Sequence, residues 1–153
     1  MTTLTTTAQL ALLNRLIATC KDGEHDYRFC AELAQAPVLR TLMQRRATEC
    51  RDAAAELQHA LRALGAVAAE DGTLGGTLHR AWIGLRRVFS LEHDYALIDE
   101  CERDDAQALQ HYRAALQRPL PEGVQPMVVA QYERTARGHA QARLLCDQLR
   151  HGD

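Results

Sequence analysis

Apolar residues recur in alternating steps of three and four through four long segments of this chain, a spacing that leaves little besides a helical bundle open to it. The first segment runs from Thr7 to Ala34 and carries Leu10, Leu13, Ile17, Cys20, Glu24, Tyr27 and Ala31 on one face. The second starts at Pro37, which suits a first helical turn, and stops at Gly65, a residue suited to a C-terminal cap. Its stripe holds Leu39, Leu42, Met43, Arg46, Cys50, Ala53, Leu57, Ala60, Leu61 and Leu64. Ser90 offers an N-cap for the third, which reaches Gln117 on Leu91, Ile98, Glu102, Asp105, Leu109, Tyr112 and Leu116. The fourth spans Pro121 to Arg150 on Val124, Val128, Gln131, Thr135, Gly138, Ala142, Leu145 and Leu149.

Short breaks near residues 35 and 120 make two antiparallel helical hairpins, whereas residues 66–90 are too many for a turn. A long crossover between two hairpins is the ferritin-like variant of the four-helix bundle. Within the crossover, Leu74, Leu78, Trp82, Leu85 and Phe89 share one side, which predicts a short amphipathic helix. The expectation is an all-α, ferritin-like four-helix bundle of one domain over residues 1–153, with residues 1–6 as a mobile threonine-rich arm.

Net charge of −2 with acids and bases interspersed gives no basic face for nucleic acid. No apolar run approaches a membrane span, and the start lacks the basic and apolar regions of a signal peptide, so a cytoplasmic protein is expected. Five cysteines without a close pair read as reduced thiols in such a compartment. A homo-oligomer or a protein partner stays open.

The runs LNRLIATCKDGEHDYRFCAE, GTLHRAWIGLR, DECERDDAQALQHYRAAL and QYERTARGHAQAR resemble an uncharacterised bacterial family, a domain of unknown function placed in the ferritin-like superfamily. The resemblance extends from about Leu10 to Arg150. It implies a di-iron or di-manganese carboxylate site, with a Glu from each of two helices and Glu-x-x-His from each of the other two.

Tested residue by residue, that pattern is incomplete. Glu56 and His59 have the spacing of the motif, but His59 lies roughly 150° from the stripe of its helix and should face solvent. Glu49 is a flanking candidate at roughly 75°. On the third helix Glu102 and Asp105, three apart, share the inward face. His139 on the fourth is level with Glu102, yet Ala136 stands where a Glu would complete the motif, and Glu133 points away. Arg46 lies on an inward stripe at the level of Glu24, and a buried Glu24–Arg46 pair accounts for both charges, since neither is affordable alone. Asp105 and Glu102 have Arg46, Gln131 or a retained proton as alternative partners.

Two functions fit. One is a non-catalytic bundle without a cofactor, in which Glu24, Arg46, Glu102, Asp105, Gln131 and His139 form a buried polar centre and the role is binding or assembly. The other is a metal carboxylate protein handling iron, manganese or dioxygen, with Glu24, Glu49, Glu102, Asp105 and His139 as ligands. Arg46 and Ala136 count against the second, because a guanidinium competes with a cation for the same carboxylates.

Overall fold

The computed structural model describes residues 7–70 and 91–151, with residues 91–93 described by their backbone alone. The expected N-terminal arm and the short helix around Trp82 lie outside the described residues. Four α-helices account for most of the rest: α1 (Thr7–Leu33), α2 (Pro37–Ala63), α3 (Leu91–Leu116) and α4 (Val124–His151). No strand occurs among the described residues.

The ends of the helices have local causes. Pro37 opens α2, and Gly65, at φ 77°, closes it. There the Ala66 N–H donates to the Leu61 carbonyl at 3.0 Å and the Gly65 N–H to that of Arg62 at 3.0 Å, the paired bonds of a Schellman motif. The fourth helix begins at Val124 instead of Pro121, because Gly123 adopts φ 84° and the Val124 N–H closes a turn onto the Pro121 carbonyl at 3.0 Å.

Contacts between helices set their directions. Against α1, α3 runs antiparallel: Gln9 meets the Pro119 carbonyl, Thr19 meets His111, Tyr27 meets Asp105 and Cys30 meets Cys101. Against α2, α4 runs antiparallel, with Arg45 on Gln141 and the Ala53 carbonyl accepting from Gln131. The chain leaves α2 beside the start of α1, where Asn14 binds the Val67 carbonyl and the Ala69 N–H. It re-enters α3 at the opposite end, beside the α1–α2 turn. Helices α2 and α3 are therefore parallel, and residues 71–90 join opposite ends of the bundle.

Asp94 makes that second junction. Its Oδ1 accepts the Gln35 N–H at 2.9 Å and its Oδ2 the Ala36 N–H at 2.8 Å. Ala36 is the N-cap of α2 and has no polar side chain, and a carboxylate from α3 accepts its N–H and that of Gln35 before it and complements the positive end of the helix.

Two apolar clusters fill the interior. One, toward the α1–α2 turn, contains Cys30, Leu39, Met43, Leu97, Ile98 and Cys101; the other, toward the far end, contains Leu13, Leu16, Ile17, Leu57, Leu61 and Val128. Between them lies a layer with buried Arg46, Asp105 and Gln131.

Asp94, only 2% exposed, leaves two backbone donors without their acceptor when truncated. Asp94→Ala is expected to lower unfolding free energy by about 2–3 kcal/mol, and Asp94→Asn, which keeps one acceptor oxygen, by less. Urea denaturation of the two variants measures both.

Candidate functional site

The centre of the polar layer is the guanidinium of Arg46, whose side chain is 4% exposed. From its own helix Glu49 accepts from Nη1 at 2.6 Å, and from α3 Asp105 accepts from Nη2 at 3.0 Å. The ring of Tyr27 on α1 lies 5.2 Å from Cζ, close enough for a cation–π contact, and the Tyr27 hydroxyl donates to the same Asp105 carboxylate. On α4 the place of a side chain is left empty: a Cβ on Gly138 would stand 2.5 Å from Cζ and 2.6 Å from Nε. His139, next in sequence, has Nδ1 3.7 Å from the other Asp105 oxygen. One guanidinium thus touches all four helices. Burial works against its charge, but Tyr27 and Asp105 beside it more than compensate and raise its already high pKa further.

The predicted site residues separate into two groups. Arg46, Glu49, Asp105 and His139 come together around the guanidinium. Glu24 does not join them. It sits at the rim with its side chain 17% exposed and pairs with Arg28, one turn along α1, at 3.2 Å. The expected Glu24–Arg46 pair is thereby replaced by Asp105 and Glu49, because α1 presents Gly23 to Cys50 and Tyr27 to Arg46, leaving Glu24 on the flank. Glu102 is half-buried, since Cys101 takes the inward position on α3. Gln131 belongs to an adjoining network: it accepts from the Tyr112 hydroxyl at 3.0 Å and donates to the Ala53 carbonyl at 3.3 Å, while Tyr112 also contacts the Cys20 thiol at 3.3 Å. Glu56 and His59 are both exposed. Among the described residues, no three or more His, Cys, Asp or Glu side chains are grouped so as to hold a metal ion.

Beside Arg46 the four helices border a cavity of about 410 Å³ that opens to solvent, lined by Cys20, Cys50, Ala53, Ala108, Tyr112 and Thr135 among others. Burial pushes the Cys20 thiol up to about 11 and the Cys50 thiol higher still, so both are protonated at neutral pH and poor nucleophiles. Burial likewise raises Tyr27 and Tyr112. At the wall, His111 is lowered by burial and by Arg15, and its Nδ1 is 2.7 Å from the Thr19 hydroxyl. The walls can recognise a ligand through the charges of Arg46, Arg134 and Asp104 as well as through hydroxyl, amide and thiol groups, and the buried thiols are not activated as nucleophiles.

On the same wall Asp104 stands among other acids, Asp22, Asp26 and Asp105. Burial pushes its carboxyl up to about 6; a hydrogen bond with Asp26 works against the rise, and the nearby Asp105, Glu100 and Asp22 add to it. The sequence stripes passed over Tyr27 as an Arg46 contact, Gly138 as the space for it, and Asp104. Only Gly138 carried a signal, as a lone glycine inside a helical pattern.

Among the described residues, fold and centre together define an all-α arrangement of four helices with a polar layer in its interior. The chain belongs to the family described as "Domain of unknown function (DUF2383)", whose profile matches residues 8–118. No curated protein matches it.

Two predictions test this geometry. Alanine is the better helix former by about 1 kcal/mol, yet Gly138→Ala is expected to cost a net 1–3 kcal/mol or so by forcing the guanidinium off Asp105; thermal unfolding gives the sign. For Asp104 the folded value of about 6 exceeds the ordinary 3.8, so the folded state holds a proton that the unfolded state has lost across that window. Its contribution is favourable below the window and disappears as pH rises through it. Asp104→Asn should match the wild type below about pH 4 and be more stable at pH 7.5 by on the order of 2 kcal/mol; urea midpoints across that range measure it.

Proposed function

We propose that the chain is a ferritin-like bundle without catalytic chemistry at its centre, which binds a small organic molecule in the cavity beside Arg46. The cavity carries the reading. At about 410 Å³ it falls within the size range of small-molecule sites, and it meets all four helices where bundles of this kind place their cofactors. The helix directions support the ferritin-like topology: two antiparallel hairpins, with α2 and α3 parallel and their connection joining opposite ends.

Arg46 accounts for the absence of catalytic chemistry in this reading. It supplies, as part of the chain, the positive charge that Glu49 and Asp105 neutralise. Iron or manganese ligated by Glu49, Asp105 and His139 would have to displace that guanidinium, with Glu24 and Glu102 contributing from the rim.

Ala108 lines the cavity, and a phenylalanine there fills it. Protein purified without chelators is denatured, and the released small molecules and metals are measured by mass spectrometry for wild type and Ala108→Phe. The expected result is a compound in near-stoichiometric amount from the wild type and none from the variant, with helical content unchanged. The proposal fails if nothing is released and a fragment library leaves the amide signals of Cys50, Ala53 and Ala108 unmoved. It also fails if bound iron or manganese is found and Asp105→Asn abolishes it.

A further inference from the structure

We propose that Cys30, Met43 and Cys101 form a binding site for one copper(I) ion, separate from the cavity and independent of its ligand. The three sulfurs come from α1, α2 and α3 and converge in the apolar cluster toward the α1–α2 turn. The Cys101 Sγ is 3.7 Å from the Cys30 Sγ and 3.5 Å from the Met43 Sδ, and all three residues are 0% exposed. Four of the five cysteines, Cys30, Cys50, Cys101 and Cys146, lie in or against this one cluster. A core that needed only volume at these positions could use leucine, valine or alanine, as it does at Leu39, Ala47, Leu97 and Ala142 around them.

The separations suit a shared ion. With metal–sulfur bonds of about 2.3 Å, three sulfurs in a plane around one ion stand about 4 Å apart. The two spacings from the Cys101 sulfur, 3.7 and 3.5 Å, therefore need widening by only a few tenths of an ångström. The donor set selects the ion. Thiol and thioether are soft ligands, which favour copper(I), and the thioether of Met43 is a poor partner for the harder divalent ions.

Charge decides the protonation state. One thiol, that of Cys30 or Cys101, loses its proton to solvent as its sulfur bonds to the ion, while the other thiol and the thioether donate lone pairs. A monovalent ion and one thiolate leave the site neutral, as an apolar setting requires. The copper stays copper(I) throughout, so no oxidant or reductant enters. Until an ion arrives, the hydrogen bond with Cys30 and the burial of the site keep Cys101 protonated, which protects the pair from alkylation and oxidation.

The test is anaerobic titration of the reduced full-length chain with copper(I) against a chromogenic copper(I) chelator. The wild type is expected to withdraw one equivalent from the chelator and to develop near-ultraviolet thiolate-to-copper absorption. Cys101→Ala should abolish both, while Met43→Leu, which preserves volume and folding, should weaken binding about tenfold. Cys20→Ala, at the other end of the polar layer, should bind as the wild type does. If the wild type withdraws no copper, or if binding survives Cys101→Ala, the sulfurs are packing groups only. Equal loss with Cys20→Ala would also overturn the assignment, because it would place the copper elsewhere.

Discussion

A positive charge held in the middle of a four-helix bundle has to be matched from every side, and the Arg46 guanidinium is matched by one group from each helix. Glu49 and Asp105 supply negative charge, Tyr27 supplies a ring face and a hydroxyl that fixes Asp105, and Gly138 supplies room. An apolar stripe tolerates sliding by a helical turn at modest cost, since one leucine replaces another. This centre does not, because sliding any helix strips the guanidinium of a partner that burial makes indispensable. In the proposed reading these polar groups specify register, a role that a single buried polar residue performs in coiled coils.

The same centre divides the interior. Apolar packing runs continuously within each end of the bundle, but Arg46, Asp105 and Gln131 interrupt it at mid-height, and the cavity lies next to that interruption. Polar side chains tied to one another cannot collapse inward as alkyl groups do, so the space between Tyr112, Gln131 and Cys50 persists. A cavity at this height of the bundle follows from the same polar restraint. The cost falls on stability, since the site holds polar atoms such as the Arg46 Nε that have no hydrogen-bond partner among the described residues.

Whereas the start of α4 was set by the Gly123 turn, the boundaries of α2 and the inward positions of Arg46 and Gln131 were legible from spacing, because α2 and α4 each bury one coherent stripe. Glu24 was not. Residues buried on α1, from Leu13 and Tyr27 to Ala18, Asp22 and Phe29, occupy most of its circumference, so its inward axis cannot be read from one row of apolar positions. The height was right and the azimuth wrong: Gly23 and Tyr27, on either side of Glu24, make the contacts to Cys50 and Arg46. On α3 the polar Asp94 and the small Cys101 mark the true inward axis, and neither is distinctive enough in a sequence to displace Glu102 from it. Asp94 illustrates a general blind spot, since a cap supplied by another helix leaves no trace in the sequence of the helix being capped.

A guanidinium among carboxylates differs from a metal ion in what it can do. A metal exchanges ligands, accepts electrons and leaves open positions for substrate; a guanidinium offers a fixed charge and a limited set of N–H donors. Two of those directions are taken by Glu49 and Asp105, and in the proposed reading the centre orients its neighbours. In the proposed reading, selectivity passes to the cavity walls, where Asp104 and Arg134 stand beside hydroxyl, amide and thiol groups. Metal chemistry, if the chain has any, is displaced toward donors that a guanidinium cannot neutralise. The uncharged sulfurs of Cys30, Met43 and Cys101 in the apolar half meet that condition, because a thiol becomes an anion only when a soft cation takes the place of its proton.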